Sequence, residues 1–298
     1  MTFISGVGFT NVDLLYSGMP RVPGEGEEVF SSGFSIQLGG GTPAILINLA
    51  RLGIPCRIQT FLGNDLFSQF AQGQFKDNGI LPTNLYHGDS IPLNVTSVMI
   101  TPNDRTFASY TDAPKITEET MEQVYACSRG AKIVLMQEEF LPIYSRLKRD
   151  GAILVYDTGW HDNMSLDRMK EILELADYYL PNRKEAMKIT GKNTLTEAAQ
   201  VLSRWFDHVI IKLDKDGCLL YENGDFTYVP PLKGIRCIDS TGAGDAFLAG
   251  FAYGLYHGHS CKHSVQFGNI TGGMCVTHVG CLGGNVHEKQ LLDISRGI

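Results

Sequence analysis

The order of apolar runs predicts an α/β fold: a doubly wound, mostly parallel sheet sandwiched by helices, with a small β-sheet set apart from it. Three observations carry that prediction. From about residue 132 onward, short apolar runs alternate with segments of helical period. Two stretches, 13–37 and 93–111, are rich in β character and poor in helix. Glycine clusters stand where strands pass into helices.

The alternation comes first. AKIVLMQ (131–137), AILVYD (152–157), ADYYLP (176–181) and HVIIKL (208–213) read as buried strands, because short continuous apolar runs suit strands covered on both faces. Between them, 166–175, 183–190 and 194–206 read as amphipathic helices. Such βαβα order implies a parallel sheet with helices on both faces. Residues 13–37 hold strand-like pieces around PRVPGEGE, and 93–111 reads as a hairpin turning at Pro102-Asn103-Asp104. These two stretches are expected to form a small sheet covering one end of a discontinuous main domain, roughly 1–12, 38–92 and 112–298.

Composition bounds the function. A chain of 298 residues with 43% hydrophobic and 19% charged residues has the makings of a sizeable globular core. Its 25 basic and 32 acidic residues give a net charge of −7, which argues against a nucleic-acid partner. Small anions remain open, because a local array of backbone N–H groups can hold them. No apolar run approaches the ~20 residues of a membrane span. The segment MTFISGVGFTNVDLL lacks a basic start and is interrupted by Asp13, so no signal peptide is expected. The seven cysteines form no Cys-x-x-Cys, and free thiols in a reducing cytoplasm are the simplest reading.

The strongest local signal is Asp239-Ser240-Thr241-Gly242-Ala243-Gly244-Asp245, followed by AFLAGFAYGLYHG. A glycine-rich loop here opens into a helix, whose unpaired N–H groups and positive dipole end can hold an anion. Asp245 falls in the first turn beside that hole. A carboxylate beside an anion suits phosphoryl transfer, in which it accepts the proton of an attacking hydroxyl. The plainer reading is a charge that complements the dipole. Gly39-Gly40-Gly41-Thr42-Pro43 precedes another helix, with Thr42 suited to the cap and Pro43 to the first position. Asn182 and Glu185 have the spacing of a capping box, or of a pair binding Mg²⁺ through water. Asn11 and Asp13 follow the first strand, where a carboxylate can grip vicinal hydroxyls or simply make a turn.

Together these pieces resemble the PfkB (ribokinase-like) family of carbohydrate kinases over nearly the whole chain, most specifically in DSTGAGDAFLAG. The Gly39 to Gly53 region, Gly63-Asn64-Asp65, the pair Asn182 and Glu185, and Asn269 add to the likeness. The resemblance implies a parallel α/β sandwich with a β-sheet lid. It implies transfer of the ATP γ-phosphate, with Mg²⁺, to a hydroxyl of a free sugar. Asp245 would be the base, and Gly242, Ala243 and Gly244 the anion hole. Asn11, Asp13, Gly40, Gly41, Glu139 and Arg105 would contact substrate. Asn182, Lys212, Asp214, Gly217, Thr241, Gly242, Gly244 and Asn269 would serve the nucleotide. Glu185 and Asn182 would hold Mg²⁺ through water. Asp239, Thr241, Gly280 and Gly284 would hold a monovalent cation, with K⁺ as the candidate.

The sequence departs from the family pattern at defined places. Ala44 stands where an Asn is usual, removing a sugar contact. Lys212-Leu213-Asp214-Lys215-Asp216-Gly217 replaces Thr-x-Gly-x-x-Gly, and Asp214 would repel a triphosphate unless it points to ribose or solvent. The turn Asp157-Thr158-Gly159-Trp160 lacks the Asn and Arg often found there. A nucleoside kinase is the alternative, with Phe9, Phe107 or Tyr110 flanking a base; a silent sugar- or nucleotide-binding regulator is another. Exposed strand edges on the small sheet make a homodimer plausible. Gly6-Val7-Gly8 lacks the third glycine of a dinucleotide fingerprint, and the cluster His257, His259, Cys261 and His263 matches no standard zinc spacing.

Overall fold

The computed structural model describes residues 2–112 and 114–297. The first part of the chain runs β1 (Ile4–Val7), β2 (Asn11–Ser17), β3 (Gly33–Leu38), α1 (Thr42–Arg51), β4 (Cys56–Thr60), α2 (Leu66–Asp77), β5 (Thr83–Asn84), β6 (Asn94–Ile100) and β7 (Arg105–Tyr110). It continues through α3 (Glu118–Ser128), β8 (Ile133–Met136), α4 (Leu141–Arg149), β9 (Ile153–Tyr156), α5 (Leu166–Leu175), β10 (Tyr178–Tyr179), α6 (Arg183–Thr190) and α7 (Leu195–Leu202). It ends with β11 (His208–Lys212), β12 (Cys218–Glu222), β13 (Asp225–Val229), α8 (Ala243–Tyr256), α9 (Cys261–Cys275) and α10 (Glu288–Arg296). Among the described residues, no helix is long and apolar enough to cross a membrane.

The main sheet has six strands in the order β10-β9-β8-β1-β4-β5, all paired in parallel. β1 and β8 are buried at every residue, as continuous apolar strands under helices on both faces should be. The strand order reverses at β1, which places a crevice above its carboxyl end. β2 leaves the body at that point, carrying Asn11 and Asp13. Two apolar clusters make up the core, one including α1, α8 and α9, the other α4, α5 and α7.

β11 departs from the expected parallel continuation. It pairs antiparallel with β12, and β12 with β13, while a parallel bridge between Asn182 and Lys212 joins it to the end of the main sheet. The reason is the tight turn at Asp214–Asp216, which reverses the chain immediately after β11 and leaves no crossover helix. The expected strand at 176–181 shortens to Tyr178–Tyr179, because the chain turns at Pro181 into the cap of α6.

The small sheet has the order β3-β2-β6-β7. It is mixed: β2 and β6 run parallel, and each is flanked by an antiparallel partner. Register sorts its side chains, since alternate residues share a face. Asp13, Gln37, Thr96 and Ser109 form one row; Phe107 and then Arg105 follow on the same face. The other face carries Phe34, Ile36 and Tyr110, which are 57%, 39% and 48% exposed.

α8 and α9 lie unusually close. A methyl on Gly250 would come within 2.3 Å of Thr271 Oγ1, and one on Gly254 within 2.4 Å of Ser264 Oγ. This small-residue seam fixes α8 along its length, and α8 begins at the glycine loop.

Candidate active site

Gly242 caps α8 with φ 75°, a left-handed conformation natural to glycine. A Cβ there would lie 2.3 Å from Cys281 Cβ, so the turn is pressed onto the loop after α9. Among the described residues, no side chain caps the helix. Its first N–H groups therefore face the crevice at the positive end of the dipole. The Ala243 N–H is the exception, turned toward Ser240 O at 3.3 Å. That leaves the N–H groups of Gly242 and Gly244 as the better anion donors.

Asp245 stands in the first turn of α8, and its Oδ2 accepts from Gly41 N at 3.1 Å. Burial pushes its carboxyl up to about 7; the Gly41 hydrogen bond opposes the rise, Asp157 adds to it, and Lys212 opposes it. A Cβ on Gly40 would approach Asp245 Oδ2 to 2.5 Å, so only bare backbone fits beside this carboxyl. Gly41, not Thr42, is the cap of α1, with φ 90°. The Thr42 hydroxyl instead accepts from Gln137 Nε2 at 2.9 Å.

Asp13 lies against Gly39, the neighbour of the Gly40 that meets Asp245. Burial raises the Asp13 carboxyl to about 6. Both of its oxygens sit 2.9–3.0 Å from where a Gly39 Cβ would be. Among the described residues it accepts no hydrogen bond, which leaves both oxygens for hydroxyl donors. Asn11 is committed differently: its Nδ2 donates to Gly40 O at 3.2 Å and its Oδ1 accepts from Asn94 Nδ2 at 2.7 Å. Asn94, which local sequence pattern did not single out, thus braces the glycine turn through Asn11. Glu139 lies exposed in the turn after β8, while its neighbour Glu138 accepts from Tyr156 Oη at 2.6 Å.

On the other side of Gly244 lies a cavity of ≈ 730 Å³, lined by Asn182, Lys212, Asp214, Gly217, Gly244 and Asn269 among others. Its lining also includes the apolar Leu232, Ile235 and Val276. This size and mix suit a nucleotide. Asn269 donates to Val229 O and Pro230 O at 3.1 and 2.9 Å, so its amide nitrogen holds the wall of the cavity. Asp214 has φ 54°, the left-handed geometry that explains why glycine is usual there. Gly217 has φ 88° and fits under Val229 O.

Lys212, in the cavity wall, belongs to an ionic cluster that extends beyond the lining. Lys212 Nζ donates to Asp157 Oδ2 at 2.7 Å. Burial alone would lower the Lys212 pKa, but Asp157, then Glu185, raise it. Asn182 and Glu185 do form a capping box, with bonds of 2.7 and 3.0 Å. Burial raises the Glu185 carboxyl. Among the described residues, Asp157 Oδ1 and Tyr179 Oη are buried with no partner. An oxygen-rich corner with an unpartnered carboxylate oxygen fits a hydrated divalent cation.

Arg105 and the expected monovalent-cation residues meet each other. Arg105 Nη1 donates to Asp239 Oδ1 at 3.0 Å and also to Thr241 Oγ1. Asp239 further accepts from Thr241 N at 3.0 Å and from Gly280 N at 2.9 Å. Its carboxyl is held below its ordinary range: burial works against this, and the bonds to Gly280 and Thr241, with Arg105, prevail. The Arg105 guanidinium, expected to contact substrate, is paired here with Asp239 and Thr241, and the carboxylate expected to attract K⁺ has this guanidinium as its cation. Gly284 lies against Met274 O, 2.1 Å from where its Cβ would stand, and is packed on α9.

The pfkB family carbohydrate kinase profile matches residues 11–288. The ribokinase of Lactococcus lactis is 24% identical over 294 residues, covering 95% of this chain and 94% of that protein. The structure of Arabidopsis thaliana ribokinase complexed with ribose and ATP superposes with a TM-score of 0.85 at 23% identity, covering 99% of each chain. A putative ribokinase II from E. coli, in complex with ATP and Mg²⁺, gives a TM-score of 0.82 at 19% identity, covering 100% of each chain.

Proposed function

We propose that this chain, which belongs to the pfkB family of carbohydrate kinases, is an ATP-dependent kinase of a free sugar with Asp245 as its general base. The observation that carries the reading is the position of Asp245. Its carboxyl, raised to about 7, stands between the anion-holding turn of α8 and the bare Gly39–Gly41 backbone. A base whose pKa lies near the working pH is both ionised and basic enough to take a hydroxyl proton.

The chemistry follows from the arrangement. Asp13, with two unpartnered oxygens, grips acceptor hydroxyls and turns one toward Asp245. That oxygen bonds to the γ-phosphorus of ATP, the bond to the β–γ bridging oxygen breaks, and ADP leaves. Asp245 receives the proton. The N–H groups of Gly242 and Gly244 face the charge on the transferring group, where preorganised donors count most. Lys212, fixed by Asp157, adds a positive charge at the phosphate end of the cavity. Glu185, Asn182 and the unpartnered Asp157 Oδ1 are the residues that would hold Mg²⁺ through water. Bound there, Mg²⁺ would neutralise phosphate charge. The small sheet acts as a lid that keeps water from the phosphoryl group.

A second reading has its own support. Phe107 is 57% exposed on the face of the small sheet that also bears Arg105. A nucleobase would cover such a ring, so a nucleoside kinase is the competing acceptor class. The exposed apolar outer face, with Phe34, Ile36 and Tyr110, supports a homodimer through the sheet. Sedimentation as a monomer at working concentration would remove that proposal. The deciding experiment is an ADP-release screen with Mg-ATP over pentoses, hexoses, ketoses, sugar acids and nucleosides. Turnover with a free sugar is expected. Turnover with nucleosides alone would favour the second reading, and none with any class would leave a silent binding protein.

A further inference from the structure

The small sheet and the glycine loop are joined by a contact that nothing in the proposed chemistry uses. Arg105 opens β7, at the end of the sheet away from its junction with the body. Its register partner is Ile100, and Asp13 lies two rows nearer the body. Yet its guanidinium reaches Asp239 and Thr241, immediately before the turn that begins α8. The sheet must therefore arch over the crevice for this contact to exist.

Asp239 is a hub. Its Oδ1 takes the Thr241 N–H, the Thr241 hydroxyl and Arg105, and its Oδ2 takes the Gly280 N–H. The carboxylate thus ties the approach to Gly242 onto the loop at 280, against which Gly242 is already pressed. Its side chain is 8% exposed, whereas that of Arg105 is 31% exposed. A nearly buried carboxylate needs a cation, and the one it has is carried by the small sheet. Were the sheet to lift, Asp239 would lose that cation, and closure would complete the hub.

We infer that Arg105 is a positioning residue: by pairing with Asp239 it couples closure of the small sheet to the ordering of the Thr241–Gly244 turn. The inference rests on the kinase reading only for its effect on rate, because the ordering itself can be read without turnover. Guanidinium geometry matters here, since one group bridges a carboxylate and a hydroxyl.

The test compares the parent protein with Arg105→Ala, Arg105→Lys, Asp239→Asn and the double variant Arg105→Ala/Asp239→Asn. Amide hydrogen exchange is followed over 239–246 and 278–282. Arg105→Ala is expected to raise exchange at Thr241 and Gly280 about tenfold while the main sheet stays protected. With an acceptor from the screen, kcat is expected to fall about tenfold or more with little change in KM for ATP. Free guanidinium at millimolar concentration is expected to restore both. The double variant is expected to be no worse than Asp239→Asn alone. Unchanged exchange in Arg105→Ala, strictly additive single effects, or a loss that neither guanidinium nor Arg105→Lys relieves would overturn the coupling. Absence of turnover in the parent, with exchange responding as expected, would remove the kinase reading and leave the latch standing.

Discussion

Replacing Asp245 by Asn removes the proposed base and little else. Asn is nearly isosteric, and its carbonyl oxygen can still accept from Gly41 N, now 3.1 Å from Oδ2. General base catalysis is worth about 10²–10⁴ in rate, so kcat is expected to drop by that factor. Stability is expected to move the other way. Raising the carboxyl from 3.8 to about 7 corresponds to about 4 kcal/mol against the ionised form. Asp245 keeps some solvent contact and Asn has its own burial cost, so about half, or ~2 kcal/mol, should be recovered. The sign follows from proton uptake. Between 3.8 and about 7 the unfolded chain has lost this proton and the folded chain still holds it. Rising pH through that window therefore destabilises the parent and leaves the Asn variant unaffected by this group. The gap should be absent near pH 3 and full at pH 8, where it is worth about 4 °C in Tm. The assays are ADP release, nucleotide binding by calorimetry, and thermal melts across pH. A kcat within tenfold of the parent would refute the base assignment. A variant less stable than the parent at pH 8 would refute the burial argument.

The remaining predictions are narrower. In the parent, kcat/KM should rise with pH through about 7 as Asp245 ionises; a flat profile from pH 5.5 to 8 would count against it. Gly40→Ala should cost activity about tenfold or more with nucleotide affinity intact, because the methyl meets Asp245 Oδ2 at 2.5 Å; normal kcat would show that the carboxyl is not confined there. Lys212→Met should cost about 3–5 kcal/mol in urea unfolding, since it strands Asp157 without its partner at 2.7 Å; a loss below ~1 kcal/mol would show that the pair is not structural. Turnover should be the same, within about twofold, in K⁺ and in a bulky organic-cation buffer, because Arg105 already neutralises Asp239. Several-fold activation by K⁺ would contradict that.

Much of the fold was legible because its signals are local. The helices at 166–175 and 183–190 have the bounds that their apolar period predicts, and the strands around 133 and 153 read as continuous buried runs. The glycine loop opening α8 was legible for the same reason, since cap, turn and acidic residue are contiguous. What local pattern could not carry was partnership across the chain. Lys212 finds Asp157 at a separation of 55 residues, and Arg105 finds Asp239 at 134. In sequence, Lys212 read as a nucleotide contact and Arg105 as a substrate contact; neither pattern shows the carboxylate that each meets in the fold. The Asn94–Asn11 bond is of the same kind. β11 misled differently: its composition is that of a parallel core strand, and the turn at 214–216, not the strand, decides its pairing.

The seam between α8 and α9 has a consequence for how such a protein can change. Gly250 and Gly254 leave no room for even one methyl, so α8 cannot slide or rotate to suit a different acceptor. The proposed base and anion donors at its end are therefore held as one fixed unit. The rows of the small sheet that face the crevice, from Asp13 out to Phe107, carry no such restriction on their side chains. A variant library aimed at a new acceptor should be written there, and one written along α8 should return mostly unfolded protein.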